Sequence, residues 1–262
     1  MTYEFVELER EGPLATIRLN RPKAFNALHV PLVRELCDAV IAVDVDPLVR
    51  GVLLTANGPA FSGGGDVKGF VAAGEELPAL IHHTTLYLHA MVSRLIRMSK
   101  PVVTAVNGIA AGAGFSLAML GDIVLAKASA QFTLAYTRIG ASPDGSSTFF
   151  LSRIVGLRRA LELVYTNRVL SAQEALDWGL ITRVLPDEGF EAAAKAVALE
   201  LAHGPTLALG RAKDLIYHSQ NHNLEAQMER ETQGIVASSK TEDFRNGTRA
   251  FVDKRPTTYQ GR

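Results

Sequence analysis

Residues 107–122 read NGIAAGAGFSLAMLGD, and this stretch is unusually rich in glycine and alanine. The residues before it, PVVTAV at 101–106, have the composition of a buried strand, whereas AGAGFSLAMLGD is typical of a helix whose first turn is all small residues. Small side chains let another group approach the backbone closely, and the first N–H groups of a helix have no partner within it. The stretch therefore predicts a strand–turn–helix unit that offers main-chain N–H groups to a ligand.

An earlier segment, GVLLTANGPAFSGGGDVKGF at 51–70, has the same design, with a helix expected to start near Asp66. Two such turns that meet at one carbonyl oxygen would form an oxyanion hole, because their N–H groups would stabilise developing negative charge. Glycine spacing alone is equally compatible with two tight turns that only allow close helix–sheet packing. Neither segment has the glycine pattern of a dinucleotide-binding fold or of a P-loop.

Strand and helix patterns alternate through the first two thirds of the chain, and the last third is helical, which predicts an α/β fold. Two strands are expected around the turn Glu11-Gly12-Pro13, and Asn26 is a plausible N-cap for the helix that follows. Residues 77–98 form a long amphipathic pattern that ends at Pro101. The remaining expected strands and helices lie at DIVLAKA, QFTLAY, ITRVLP, 146–156, 158–166, 171–178, 188–203, 206–219 and 222–238.

The composition excludes several classes of protein. Lys plus Arg and Asp plus Glu number 27 each, which gives no reason to expect a nucleic-acid partner. No apolar run approaches the ~18 residues that a membrane span needs, so no membrane partner is expected. The single cysteine, Cys37, cannot form an internal disulfide, which favours a reducing, cytoplasmic location.

Four motifs together resemble one family. The chain is similar to the crotonase (enoyl-CoA hydratase/isomerase) family from about residue 4 to residue 256, and the spacing between the motifs agrees as well. The segments that carry the resemblance are FSGGGDVKGF, AVNGIAAGAGFSLAMLGDIVLA, AQFTLAYTRIGASPDGSSTFFLSRIVG and SAQEALDWGLITRV.

The resemblance implies a crotonase-type spiral of ββα units as the core of the α/β fold. It implies a catalytic domain over residues 1–195 and a helical region over residues 196–262 that forms a trimer, or a hexamer of two trimers. The substrate would be an acyl-CoA thioester, and coenzyme A would enter only as part of it, with no separate cofactor.

In the family, two backbone N–H groups hold the thioester oxygen, and motif position assigns them here to Gly65 and Ala113. Hydratases of the family add two glutamates, at the positions that Ser116 and Tyr136 occupy in this chain. Serine at neutral pH is a poor base without a helper, and tyrosine has an ordinary pKa near ~10. A hydratase would therefore need atypical acid and base groups.

One carboxylate, Asp144 in ASPDGSS, lies at the motif position where isomerases of the family, including a ring-opening one, carry an aspartate. One base can remove a proton from one carbon and return it to another, so the resemblance favours an isomerase. The alternative is that Asp144 has only a structural role in a turn, because Pro-Asp-Gly is a strong turn sequence.

A second reading is hydrolytic dehalogenation of an aryl-CoA halide. Dehalogenases of the family use an aspartate at the same place as a nucleophile and a histidine at the position of His89, with a tryptophan where this chain has Tyr136. A third reading is a non-catalytic member that binds coenzyme A.

Coenzyme A contacts are implied at seven positions. Those around the adenine would come from the strand-to-helix segment and the glycine loop, and a C-terminal pair would reach the coenzyme of a neighbouring subunit; the residues are Lys23, Ala24, Gly63, Asp66, Val67, Phe251 and Lys254. No metal site is expected, because His82 and His83 are adjacent, and His218 and His222 have no HExxH motif with them.

Overall fold

The computed structural model describes residues 3–262, and its centre is a twisted sheet flanked by helices. The strands are β1 (Val6–Glu11), β2 (Leu14–Leu19), β3 (Gly51–Ala56), β4 (Ala60–Ser62), β5 (Val102–Val106), β6 (Ile109–Ala111), β7 (Ile123–Lys127), β8 (Gln131–Thr133), β9 (Leu170–Ser171) and β10 (Arg183–Leu185).

The α-helices are α1 (Val30–Val45), α2 (Val67–Ala73), α3 (Leu77–Arg97), α4 (Ala113–Ala118), α5 (Ser147–Val155), α6 (Leu157–Thr166), α7 (Ala172–Asp177), α8 (Phe190–Ala202), α9 (Thr206–Ser219), α10 (Leu224–Ser239) and α11 (Glu242–Val252). Short 3-10 turns lie at Pro22–Ala24, Gly74–Glu76 and Tyr136–Ile139.

The larger sheet has six strands in the order β1-β2-β3-β5-β7-β10. The hairpin β1–β2 is antiparallel, as the turn at Glu11-Gly12-Pro13 predicts, and every other pairing in this sheet is parallel. Parallel strands need crossover connections, and here helices supply them and cover both faces of the sheet. The α/β prediction is confirmed.

The central strands are apolar on both faces because both faces are covered. In β3, Val52 and Leu54 belong to the main apolar core, which also contains residues of α1 and α3. Leu53 points the opposite way, into a smaller core with Phe190 and Ala194 of α8. This alternation follows from the period of two residues along a strand.

A second, smaller sheet has the order β4-β6-β8-β9, with strands of only two or three residues. Strand β4 pairs in parallel with β6, and β6 pairs in parallel with β8. The chain leaves β4 at the GGGD turn and leaves β6 at the AGAG turn, so this pairing sets the two glycine-rich turns side by side.

The prediction that Asn26 caps α1 is wrong. The N-cap is His29, whose side chain accepts a hydrogen bond from the Leu32 N–H. Asn26 is fully buried, and its amide donates to the carbonyl oxygens of Asn57 and Ala60. It joins two loops instead of starting a helix.

The predicted division between residues 195 and 196 falls inside α8, whose Ala194, Ala198 and Ala202 lie in the core beneath the sheet. Helices α9, α10 and α11 follow. The division into a catalytic and an oligomerisation region stays a prediction.

Candidate active site

Glycine allows the two turns to touch. Gly64 and Gly112 both have positive φ, +92° and +54°, which side chains adopt only with strain. A Cβ atom on Gly64 would lie 2.7 Å from the carbonyl oxygen of Ala111, and one on Gly112 would lie 3.6 Å from the Cα of Gly64. The small residues therefore serve a backbone-to-backbone contact, and this contact brings Gly65 and Ala113 to one place.

Gly65 and Ala113 keep unused N–H groups. Within residues 3–262, neither N–H has an acceptor, and both residues line the same cavity. Four neighbouring N–H groups are used: those of Gly63, Gly64, Asp66 and Gly112 donate to Phe25 O, Ser62 Oγ, Leu28 O and Thr133 O. Two unpaired donors at one cavity can stabilise an anionic oxygen.

The cavity has a volume of about 490 Å³ and mostly apolar walls. Helix α3 supplies one wall through residues spaced three and four apart, which are Ile81, Thr84, Thr85 and Leu88. Phe70 of α2 and Ile139 also line the cavity. Among the described residues that line it, Asp144 is the only carboxylate and Arg138 the only cation.

Asp144 lies at this cavity in a half-buried turn before α5. Its Oδ1 accepts a hydrogen bond of 2.6 Å from the Tyr136 hydroxyl. Its carbonyl oxygen accepts from the Ser116 and Ser147 hydroxyls at 3.0 and 2.8 Å. The turn predicted from Pro-Asp-Gly is present, and the side chain it carries borders the cavity. A catalytic role for Asp144 stays a prediction.

Tyr136 cannot act as a base here. Burial, together with the neighbouring Asp144 carboxylate, raises the pKa of Tyr136 far above its ordinary value of 10.0. It therefore stays protonated and serves as a hydrogen-bond donor.

His89 does not meet Asp144. It lies on α3 next to Leu88, but its side chain is exposed and is not among the residues that line the cavity. Successive helix residues point about 100° apart, so when Leu88 faces the cavity His89 faces away. No histidine is among the residues of 3–262 that line the cavity with this aspartate.

The predicted coenzyme contacts divide into four groups. Gly63 and Val67 line the cavity, and Lys23 and Ala24 lie in the 3-10 turn, with Lys23 exposed. Asp66 has other partners: it caps α2 through the Gly69 N–H at 3.1 Å and pairs with Arg21 at 2.8 Å.

Phe251 and Lys254 form the fourth group. Phe251, at the end of α11, is 85% exposed, and the described residues that line the cavity all lie between 28 and 144. Within one chain these two residues are not brought to the cavity.

Sequence reasoning missed two features of the site. It identified Ser116 and Tyr136 with the family's glutamate positions, and Tyr136 also with a tryptophan position, but it did not predict that both contact Asp144 by hydrogen bonds. It also missed Arg138 at the cavity. A 3-10 turn and an irregular loop separate Tyr136 from Asp144, so no helix or strand period relates them.

No group of three or more His, Cys, Asp or Glu side chains in residues 3–262 could hold a metal ion. In the same part of the chain, no helix is both long and apolar enough to cross a bilayer.

Comparison with known proteins gives consistent matches. Residues 9–262 match the family model for enoyl-CoA hydratase/isomerase. The chain is 35% identical over 260 residues to the 1,2-epoxyphenylacetyl-CoA isomerase of Escherichia coli (strain K12), with 99% of each covered. It is also 35% identical over 234 residues to 4-chlorobenzoyl coenzyme A dehalogenase-2 of Arthrobacter sp, covering 89% of this chain and 85% of that one. Among solved structures, an enoyl-CoA hydratase from Polaromonas sp. JS666 superposes with a TM-score of 0.93 at 30% identity, covering 97% and 99% of the two chains.

Proposed function

The chain belongs to the enoyl-CoA hydratase/isomerase (crotonase) family, and from that premise we propose that it is an acyl-CoA isomerase with one acid–base residue, Asp144. The substrate is an unsaturated acyl-CoA or an acyl-CoA derived from a ring epoxide. The observation that carries the proposal is that Asp144 is the only carboxylate among the described residues that line a cavity with two unpaired N–H groups.

The reaction begins when the Asp144 carboxylate takes a proton from an activated carbon of the enoyl thioester. The electron pair moves into the conjugated system, and the thioester oxygen gains negative charge. The N–H groups of Gly65 and Ala113 stabilise that oxygen. Asp144 then returns the proton to another carbon, so the double bond moves and no other reactant is consumed.

Hydration needs a second group, because one residue must activate water while another delivers a proton. The hydroxyls of Ser116 and Tyr136 stand where hydratases of the family carry glutamates, and both are hydrogen-bonded to Asp144. A single carboxylate with hydroxyl partners favours proton transfer between two carbons over addition of water.

Dehalogenation is the second candidate, because the Arthrobacter dehalogenase is as similar in sequence as the isomerase. Its chemistry as expected above needs a water-activating histidine beside the aspartate. The exposed position of His89 weighs against it. A non-catalytic role is disfavoured by the half-buried carboxylate at the cavity.

The assembly and location are part of the same proposal. Helices α9 to α11 carry large exposed apolar side chains, including Ile216, Leu224, Ile235, Phe251 and Val252. Exposed apolar surface of this kind supports association with other copies, as a trimer or a hexamer. We also propose a cytoplasmic location and no cofactor besides the coenzyme A of the substrate.

The test is a panel of 2-enoyl, 3-enoyl and ring-derived acyl-CoA substrates incubated in D₂O. We expect double-bond migration with deuterium entering the substrate carbons, and about a 1,000-fold loss of this activity in Asp144→Asn. Asp177→Asn, which changes an exposed aspartate on α7, is the matched control and should keep full activity.

Three outcomes would contradict the proposal. Halide release from an aryl-CoA halide incubated separately in H₂¹⁸O, with ¹⁸O trapped on Asp144, would identify a dehalogenase. Formation of a hydroxyacyl-CoA would identify a hydratase. Binding of acyl-CoA without turnover of any member of the panel would identify a binding protein.

A further inference from the structure

Four oxygen atoms beside the cavity lie within hydrogen-bond distance of one another in a row. The Tyr136 hydroxyl lies 2.6 Å from Asp144 Oδ1, and Ser116 Oγ lies 3.0 Å from the Tyr136 hydroxyl. Ser116 Oγ also lies 3.0 Å from the carbonyl oxygen of Asp144 itself. A hydroxyl has one proton to donate, so Ser116 donates either to the Tyr136 oxygen or to the Asp144 carbonyl oxygen while Tyr136 donates to Oδ1.

The two carboxylate oxygens of Asp144 differ in their partners. Oδ1 accepts from Tyr136, whereas Oδ2 has no partner among residues 3–262. An ionised carboxylate can only accept, so Tyr136 must be the donor in this bond. When Oδ2 carries a proton, Oδ1 is still an acceptor, and Tyr136 keeps its place through both halves of a proton transfer.

Resting on the isomerase proposal, we propose that Tyr136 is a positioning residue that holds Asp144 Oδ1 and leaves Oδ2 to carry the proton. Ser116 has a supporting role, because it contacts the Tyr136 hydroxyl and is 1% exposed, which fixes its position. The bond from Tyr136 is stronger to the ionised carboxylate than to the acid.

Tyr136 is the titratable group in contact with the Asp144 carboxylate. Helix α3 presents to the cavity only Ile81, Thr84, Thr85 and Leu88, and α2 presents Val67 and Phe70. Helix α4 contributes Ser116, and α5 contributes Ser147. The one cation at the cavity within the described residues, Arg138, donates to the carbonyl oxygen of Asn167. Because Tyr136 keeps its proton, it acts as a donor throughout the range of an enzyme assay.

The test is the steady-state kinetics of Tyr136→Phe, with kcat and KM measured separately. Loss of the hydrogen bond that holds Oδ1 should lower kcat about tenfold. KM should stay within about twofold, because the hydroxyl does not hold the substrate. Tyr165→Phe, which changes a tyrosine that is 73% exposed, is the control and should leave both constants unchanged.

Ser116→Ala provides a second variant in case Tyr136→Phe folds poorly. It should lower kcat by a smaller factor with KM nearly unchanged, because Tyr136 keeps its bond to Asp144 but loses its support. A kcat that stays at the wild-type value in both folded variants would overturn the positioning role. Activity retained in Asp144→Asn would instead overturn the isomerase proposal, so the two failures are distinguishable.

Discussion

Two turns lie beside the cavity, and each carries an aspartate with a different set of partners. In the turn at 63–66, Asp66 accepts from the Gly69 N–H and pairs with the Arg21 guanidinium at 2.8 Å. In the turn at 143–147, the Asp144 side chain accepts only from the Tyr136 hydroxyl within the described residues. A cation and a helix cap fix the first carboxylate, while a neutral hydroxyl leaves the second one able to exchange a proton.

The charge of Asp66 is held in place by its partners. Burial alone would raise its pKa, but hydrogen bonds from the Gly69 N–H and Arg21 outweigh burial and lower the pKa below its usual value of 3.8. A carboxylate in that state is a poor proton carrier near neutral pH. The first turn therefore contributes its main chain to the proposed reaction, through Gly65, and the second turn contributes a side chain.

A substitution at Gly64 is the strongest way to break this comparison. In Gly64→Ala, the new Cβ would meet the carbonyl oxygen of Ala111 at 2.7 Å, in a backbone with φ of +92°. The GGGD turn and the AGAG turn must then separate, and the N–H groups of Gly65 and Ala113 can no longer hold one oxygen. We expect about a 100-fold loss of kcat with acyl-CoA substrates, measured in steady-state assays on folded protein.

Gly179→Ala is the matched control for backbone strain. Gly179 also has positive φ, +75°, but a Cβ there would meet nothing within 4 Å. This variant should lose some stability and keep its activity. If both glycine variants lost activity to the same degree, the contact between the turns would not be the reason for the effect.

Asp66→Asn is expected to affect stability more than catalysis. Asparagine can still cap α2, but the ion pair with Arg21 is lost, which should cost about 1 kcal/mol near neutral pH in urea unfolding. Activity should fall by less than about threefold, because the main chain of the turn is unchanged.

The stability difference between wild type and Asp66→Asn should depend on pH. The folded-state pKa of Asp66 is lowered below 3.8, so the unfolded state binds more protons between the two pKa values. The stabilisation is present above about pH 3.8 and is lost as pH falls through the folded-state value. Asp253→Asn, whose ion pair with Arg255 is about half exposed, should show almost no effect. A difference that persists unchanged in acid would show that Asp66 acts through something other than its charge.

The sequence predicts the main strands and helices because each carries its own period. The hairpin β1–β2, helix α3 and the helix start at Asp66 agree with the structure. The short strands β4 and β6 have only three residues each, too few for a period, so a glycine-rich loop was expected where the second sheet begins. That sheet brings the GGGD turn and the AGAG turn together.

The positions of the site residues were predictable in part. Gly65, Ala113 and Asp144 come from motif positions, and all three line one cavity. The partners of each group were not predictable, because hydrogen bonds such as Tyr136–Asp144 and Arg21–Asp66 join residues through loops without a period. Those partners decide that Asp66, and not Asp144, is held by an ion pair.

Substitution of His89 is expected to have the smallest effect on activity. It also distinguishes the isomerase reaction from dehalogenation. Leu88 faces the cavity and His89 is exposed, so His89→Gln should change kcat and KM of the isomerase reaction by less than about twofold. Ile81→Ala, which changes a cavity-lining residue of the same helix, should raise KM and shows that the assay detects changes along α3. A large loss of kcat in His89→Gln would mean that the histidine turns toward Asp144 when substrate binds. In that case the second turn would carry a nucleophile with a water base, and the hydrolytic chemistry would be favoured over the proton transfer.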